Sequence, residues 1–158
     1  MLRFAWIINT VFFFFGAVSA QASLELDRRY HLENIGYLRS WDNIEGLFGE
    51  YVDVAYKEYF SKQQRFNVKD LKHADSVLEK SSISYQKLLD DREILAQVAK
   101  QFRLNSMIRT KITQEGPTYR LVIDWMAAPQ MDLLATESVV IRDASELRVT
   151  LTKTLDEL

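Results

Sequence analysis

The residue types in this chain that could do chemistry are few and do not converge. Asp70 and His73 stand at i, i+3 with Asp75 close behind, a spacing that would put two potential metal ligands on one helical face. No third ligand converges with them, and the other histidine, His31, lies in a separate segment, so the pattern reads as a solvated polar face. Asp90 and Asp91 are adjacent carboxylates, a pairing that acid and base catalysis exploits, yet a turn followed by a helix cap accounts for both. No Ser, His and Asp order, nucleophile elbow or phosphate-cradling glycine loop occurs. The residues thus predict no catalytic, cofactor-binding or metal site, and the lack of cysteine removes disulfides, thiolate ligands and a lipid-acylation site.

A different kind of chemistry is offered by a run of cations. The hairpin centred on Gln114-Glu115-Gly116-Pro117 is expected to set Ile112 opposite Tyr119, Thr110 opposite Leu121 and Ile108 opposite Ile123, with Trp125 on the same apolar face. The other face then carries Arg109, Lys111 and Arg120 beside Met107, Val122 and Asp124, with Lys111 directly across from Arg120. Like charges opposed on a sheet are unfavourable unless solvated or met by an anion. These three cations, with Trp41 as an exposed aromatic, are therefore the expected partner-binding residues. Their competing reading is a solvated face whose long side chains cover apolar surface.

The elements that must position them follow from periodicity. A first strand is expected within Arg29–Arg39, through Tyr30, Leu32, Ile35 and Tyr37. Asp42 with Glu45 looks like a helix start, and Ile44, Leu47, Phe48, Tyr51, Ala55 and Tyr59 then fall on one face of a helix running to about Ser61. Gly46 and Gly49 inside that helix suggest close approach of a neighbouring backbone. A brief strand is expected at Arg65–Val68, helix from Asp70 through Leu78, a short helical piece at Ser84–Leu89, and a helix opened by Asp90 with Leu95, Val98, Ala99 and Phe102 inward. A third meander strand, Leu133–Ile141, would turn Leu133, Ala135, Val139 and Ile141 inward, and a last helical pattern covers Ala144–Leu158.

The amino terminus reads as an export address. Arg3 supplies a positive start, Phe4–Phe15 a short apolar run, and Val18-Ser19-Ala20 and Ala20-Gln21-Ala22 two small-x-small cleavage sites. A membrane span needs roughly 20 apolar residues, and this run is shorter and interrupted by Asn9 and Thr10, so no span is expected after cleavage. Residues 23–158 suffice for one domain. With 20 basic and 22 acidic residues, five glycines and two prolines, the chain shows neither the basic excess of a nucleic-acid binder nor a linker.

The run Ile94–Leu104, then Met107-Ile108-Arg109-Thr110-Lys111-Ile112, the Gln114-Glu115-Gly116-Pro117 turn and Tyr119-Arg120-Leu121-Val122-Ile123-Asp124 resembles the amino-terminal domain of TolB and related CsgG-like periplasmic domains. The resemblance spans about Arg39–Ile141 and implies an α/β (α+β) fold: a small mixed sheet with helices packed on one side, ending in a three-stranded antiparallel meander. It implies use as a non-enzymatic interaction or scaffolding module whose partner is a bacterial envelope complex. The alternative is an envelope hydrolase or small-ligand-binding domain with a site scattered in sequence. There is no room here for the propeller that follows the domain in TolB, and no cysteine to match the CsgG-like lipoproteins, so no particular partner transfers. The chain could also be the first module of a longer protein.

If the address is read correctly, amino-terminal sequencing of the periplasmic protein returns Gln21 or Ser23. Recovery of Met1 in the membrane pellet would contradict it.

Overall fold

The ten-residue alternation before and after Gly116-Pro117 makes the longest strands of the domain. In the computed structural model, which describes residues 29–71 and 84–157, these are β4 (Ser106–Glu115) and β5 (Thr118–Ala127), followed by β6 (Asp132–Ile141). Shorter strands β1 (Asn34–Tyr37), β2 (Trp41–Asp42) and β3 (Asn67–Asp70) precede them. The sheet order is β3-β1-β4-β5-β6, with β2 also on β4; β1 runs parallel to β3 and β4, and the meander β4-β5-β6 is antiparallel. The parallel strands are tied at their starts by asparagines. Asn67 Nδ2 donates to Asn34 Oδ1 at 2.8 Å, and Asn34 Nδ2 donates to Asn105 Oδ1 at 2.9 Å.

The chain divides into Met1–His31 and Leu32–Leu158, and the sheet belongs to the second unit. Helices α1 (Gly49–Phe60) and α4 (Leu147–Glu157) cover one face, burying Phe48, Val52, Tyr56, Phe60, Leu147 and Leu151 against Ile35, Tyr37, Ile108, Ile112, Leu121 and Ile123. Helices α2 (Tyr85–Asp90) and α3 (Arg92–Phe102) cover the other, where Leu88, Leu89, Leu95, Val98 and Ala99 meet Met107, Met126 and Met131. The mixed sheet and terminal meander are as expected. The helical layer expected on one side is joined by a second, because Met107 and Met126 give the opposite face an apolar floor of its own.

Several local expectations change. Helix α1 begins at Gly49, seven residues after Asp42, whose carboxylate is used in the loop instead: it accepts from the backbone N–H groups of Ile44 (3.1 Å), Gly46 (2.7 Å) and Phe48 (3.1 Å). Glu45 and Gly46 both take positive φ there, so the glycine serves a left-handed turn. The close backbone approach lies elsewhere, at Gly36, where a Cβ would stand 2.5 Å from Leu104 Cδ1 and 2.7 Å from Leu71 Cδ1. With the helix started late, its inward face is Phe48, Val52, Ala55, Tyr56 and Phe60, and Leu47 and Tyr51 point to solvent. The strand expected at Arg65–Val68 sits two residues later and ends on Asp70, which is therefore not helical; His73, Asp75 and most of that expected helix lie outside the described residues. Asp91, not Asp90, caps α3, accepting from the N–H groups of Glu93 and Ile94 at 3.0 and 3.2 Å.

The third strand is where expected, but its first residues face the other way. Trp125 pairs with Ala135 while Met126 pairs with Leu133, so one extra residue on β6 forms a bulge. That bulge reverses the alternation and leaves Leu133 exposed, while Ile141 stays buried. Trp125 lies on the expected face but only half-buried, edge-on to Phe66 at 6.2 Å. Phe48, by contrast, is fully buried against Tyr119. Phe48→Ala should therefore cost about 3 to 5 kcal/mol, and Trp125→Ala clearly less. Urea denaturation checks the order, and a larger loss in Trp125→Ala would contradict this packing.

Candidate functional site

The cations singled out by sequence do not form one free basic patch, because α2 lies over that face and the hairpin turn falls one residue later than expected. The loop is Gly116-Pro117, with Glu115 paired to Thr118; positive φ at Gly116 followed by the fixed φ of proline is the pattern of a II′ turn. Ile112 consequently pairs with Leu121, Thr110 with Ile123 and Ile108 with Trp125. The facing of every residue survives, since the shift preserves the alternation of period two. Cross-strand partners do not: Lys111 stands opposite Val122, Arg120 opposite Thr113, and Arg109 opposite Asp124.

Arg109 is the centre of an internal clamp. Its Nε and Nη2 donate to Asp124 Oδ2 at 3.0 and 2.6 Å, and its Nη1 donates to the Leu89 carbonyl. Asp124 is completed by Thr136, whose Oγ1 donates to Oδ1 at 2.6 Å. Lys111 Nζ pairs with Asp90, which also lies 3.4 Å from Arg109 Nη1. With Arg109 19% and Asp124 10% exposed, this is a largely desolvated pair that fastens the carbonyl end of α2 to the sheet, where cations also meet the negative end of the helix. Asp90 and Asp91 thus divide their work, one in the clamp and one capping α3.

Arg120 stands apart at the hairpin tip, forked onto Glu115 at 2.7 and 2.9 Å with 43% of its side chain exposed. Its guanidinium holds the Glu115 carboxyl below the usual carboxylate range. Trp41 is half-buried on β2, in register with Lys111 and packed on the second core, instead of projecting as a free aromatic. Asp70 carries an ion pair to Lys57 at 3.7 Å, and among the described residues no three His, Cys, Asp or Glu side chains group as metal ligands.

One surface was read inward from sequence and lies outward. Leu47, in the turn before α1, and Tyr51 and Val54, on the outer side of α1, are 59%, 53% and 48% exposed. The signal was present as a second apolar face on the same helix, hidden by assigning Leu47 and Tyr51 to the core.

Together these features define a three-layer domain, a mixed sheet between two helix pairs, with charge pairs holding one side and Tyr51 and Val54 turned outward on α1. No family model matches the chain, and no curated protein matches it closely in sequence. Solved structures share its fold. The lipoprotein GNA1162 from Neisseria meningitidis aligns at a TM-score of 0.55 and 12% identity, over 78% of this chain and 94% of that one. The LpoB C-terminal domain from Salmonella enterica aligns at 0.54 and 9%, and that of Escherichia coli at 0.55 and 9%, each over 71% of this chain and 84% of the other. At these identities the likeness is one of fold.

Removing the clamp should cost far more than removing the tip. Arg109→Ala leaves Asp124 Oδ2 without its guanidinium and the Leu89 carbonyl without its side-chain donor and should lose about 2 to 3 kcal/mol in chemical denaturation. Arg120→Ala should leave the midpoint unchanged within error, as exposed pairs generally do. Equal midpoints for the two variants would contradict the clamp.

Proposed function

We propose that this chain is a non-enzymatic interaction or scaffolding module of a bacterial cell-envelope assembly, exported by cleavage after Ala20 or Ala22 and working in the periplasm as one domain over residues 23–158. The observation that carries the reading is the likeness of its fold to the lipoprotein GNA1162, 94% of whose chain it covers. The export address and the TolB-like run of the sequence support it from a separate direction. The polar residues best placed for chemistry are engaged in structure: Asp42 in a loop, Asp91 in a cap, Asp90 and Asp124 in the clamp. Among the described residues no helix is long and apolar enough to cross a membrane, so contact with an envelope protein is the means proposed to hold the domain in place.

Of the basic residues expected to meet a partner, Arg120 is the one presented at an exposed edge in this reading. Arg109 and Lys111 hold the platform behind it, and Trp41 flanks Lys111. Chemical crosslinking in intact cells, followed by purification of the tagged chain from the periplasmic fraction, should yield defined adducts with envelope proteins. A chain recovered in the cytoplasm, or one that forms no adduct, would contradict the proposal.

A further inference from the structure

We infer that the outer edge of β6 is where a second copy of this chain pairs, its own β6 adding antiparallel across a two-fold axis at Ser138 so that one sheet runs through both protomers. This assembly is independent of the envelope reading.

Strand β6 is ten residues long and closes the sheet: among the described residues it pairs on one side only, with β5. A long edge strand offers a row of backbone N–H and C=O groups to any strand that can lie beside it, and chains that stay apart guard such edges with lysine, proline or brevity. At the opposite edge β3 is guarded in that way, being four residues long with Lys69 in it. β6 is not. Its bulge ends before Ala135, and the regular run Ala135–Ile141 contains neither lysine nor proline and is rich in β-branched residues, Thr136, Val139, Val140 and Ile141. On the side away from α1 and α4, Thr136, Ser138 and Val140 are exposed.

Self-complementarity of the run selects a second copy as the occupant. A two-fold axis perpendicular to the sheet keeps both faces continuous only when each residue pairs with one of its own facing, and Ser138 is the midpoint of Ala135–Ile141. Centred there, every residue of the run pairs: Ser138 with itself, Glu137 with Val139, Thr136 with Val140 and Ala135 with Ile141. A small side chain meets a large one, β-branched residues meet on the exposed side, and no like charges are opposed. Moving the axis one residue toward the bulge would set the two Glu137 carboxylates face to face. The ends agree in charge. Exposed Asp132 and Arg142 flank the run, and the antiparallel arrangement brings Arg142 of each copy to the Asp132 end of the other, while Asp143 is engaged in its own turn, accepting from the Ser145 N–H at 2.7 Å.

Sedimentation equilibrium of the full mature chain should show a reversible monomer and dimer between about 1 μM and 1 mM, the range of a small interface. Ser138→Lys sets two cations against each other at the axis and should stay monomeric over that range, with the melting temperature of the dilute protein unchanged because position 138 is exposed in the monomer. Asp132→Arg should raise the dissociation constant roughly three- to tenfold, and adding Arg142→Asp should restore it. Paired residues on adjacent antiparallel strands have Cα atoms about 4.5 to 5.5 Å apart, within disulfide reach. Ser138→Cys should therefore oxidise to a covalent dimer, and Tyr51→Cys, on α1, should not. A monomer at every concentration to about 1 mM, a dimer that Ser138→Lys leaves intact, or a Ser138→Cys chain that crosslinks to another envelope protein and not to itself would each overturn the inference.

Discussion

The carboxylate of Asp42 decides which way the rest of the domain faces. It gathers three backbone N–H groups, those of Ile44, Gly46 and Phe48, and holds the chain in a turn where Glu45 and Gly46 take positive φ. A charged acceptor shared by three backbone donors is a strong local constraint. Its consequence is rotational: α1 cannot begin before this turn ends, and starting at Gly49 directs Phe48, Val52 and Tyr56 to the sheet. Asp42 also ends β2, so one residue links the edge of the sheet to the phase of the helix that covers it.

The two faces of the sheet are secured by different means. Under α1 and α4 the core is aromatic and aliphatic, and the Tyr56 hydroxyl is satisfied by Thr110 within it. Burial pushes the Tyr56 phenol well above its usual range, so this tyrosine stays neutral under physiological conditions. Under α2 and α3 the apolar floor is smaller, and the clamp of Arg109, Asp124, Lys111 and Asp90 supplements it at the end of the six-residue α2. A cation that would be a docking handle on a bare sheet is here a fastening, because a helix lies over it.

What could be read from the sequence follows the range of the forces involved. The meander, the inward sets of β4 and β5 and the stripe of α3 were legible because they depend on alternation and helical period within one element. The hairpin register differs from the expected one by two residues because the turn falls on Gly116-Pro117, one residue later than the centre of the run Gln114–Pro117, and that displacement alone moves Lys111 from opposite Arg120 to opposite Val122. The facing of Leu133 was hidden by a bulge that has no residue signature of its own. Helix α1 was the deepest ambiguity. Leu47 and Tyr51, and equally Val52 and Tyr56, supply apolar faces, and the turn that Asp42 holds, which helical period does not reveal, chooses between them. The partner of Arg109 was likewise beyond reach of pattern, since it depends on α2 lying over the sheet.

The natural chain contains no cysteine, so single cysteines report accessibility against a clean background. Thiol labelling of the native protein with cysteine at position 51, 52 or 54 tests the rotation of α1 most directly. Tyr51→Cys and Val54→Cys should label at rates near those of a free thiol, and Val52→Cys should be protected until the protein unfolds. Rapid labelling at 52 with protection at 51 would mean that the opposite side of α1 is the one packed on the sheet, and the account of the core would be wrong.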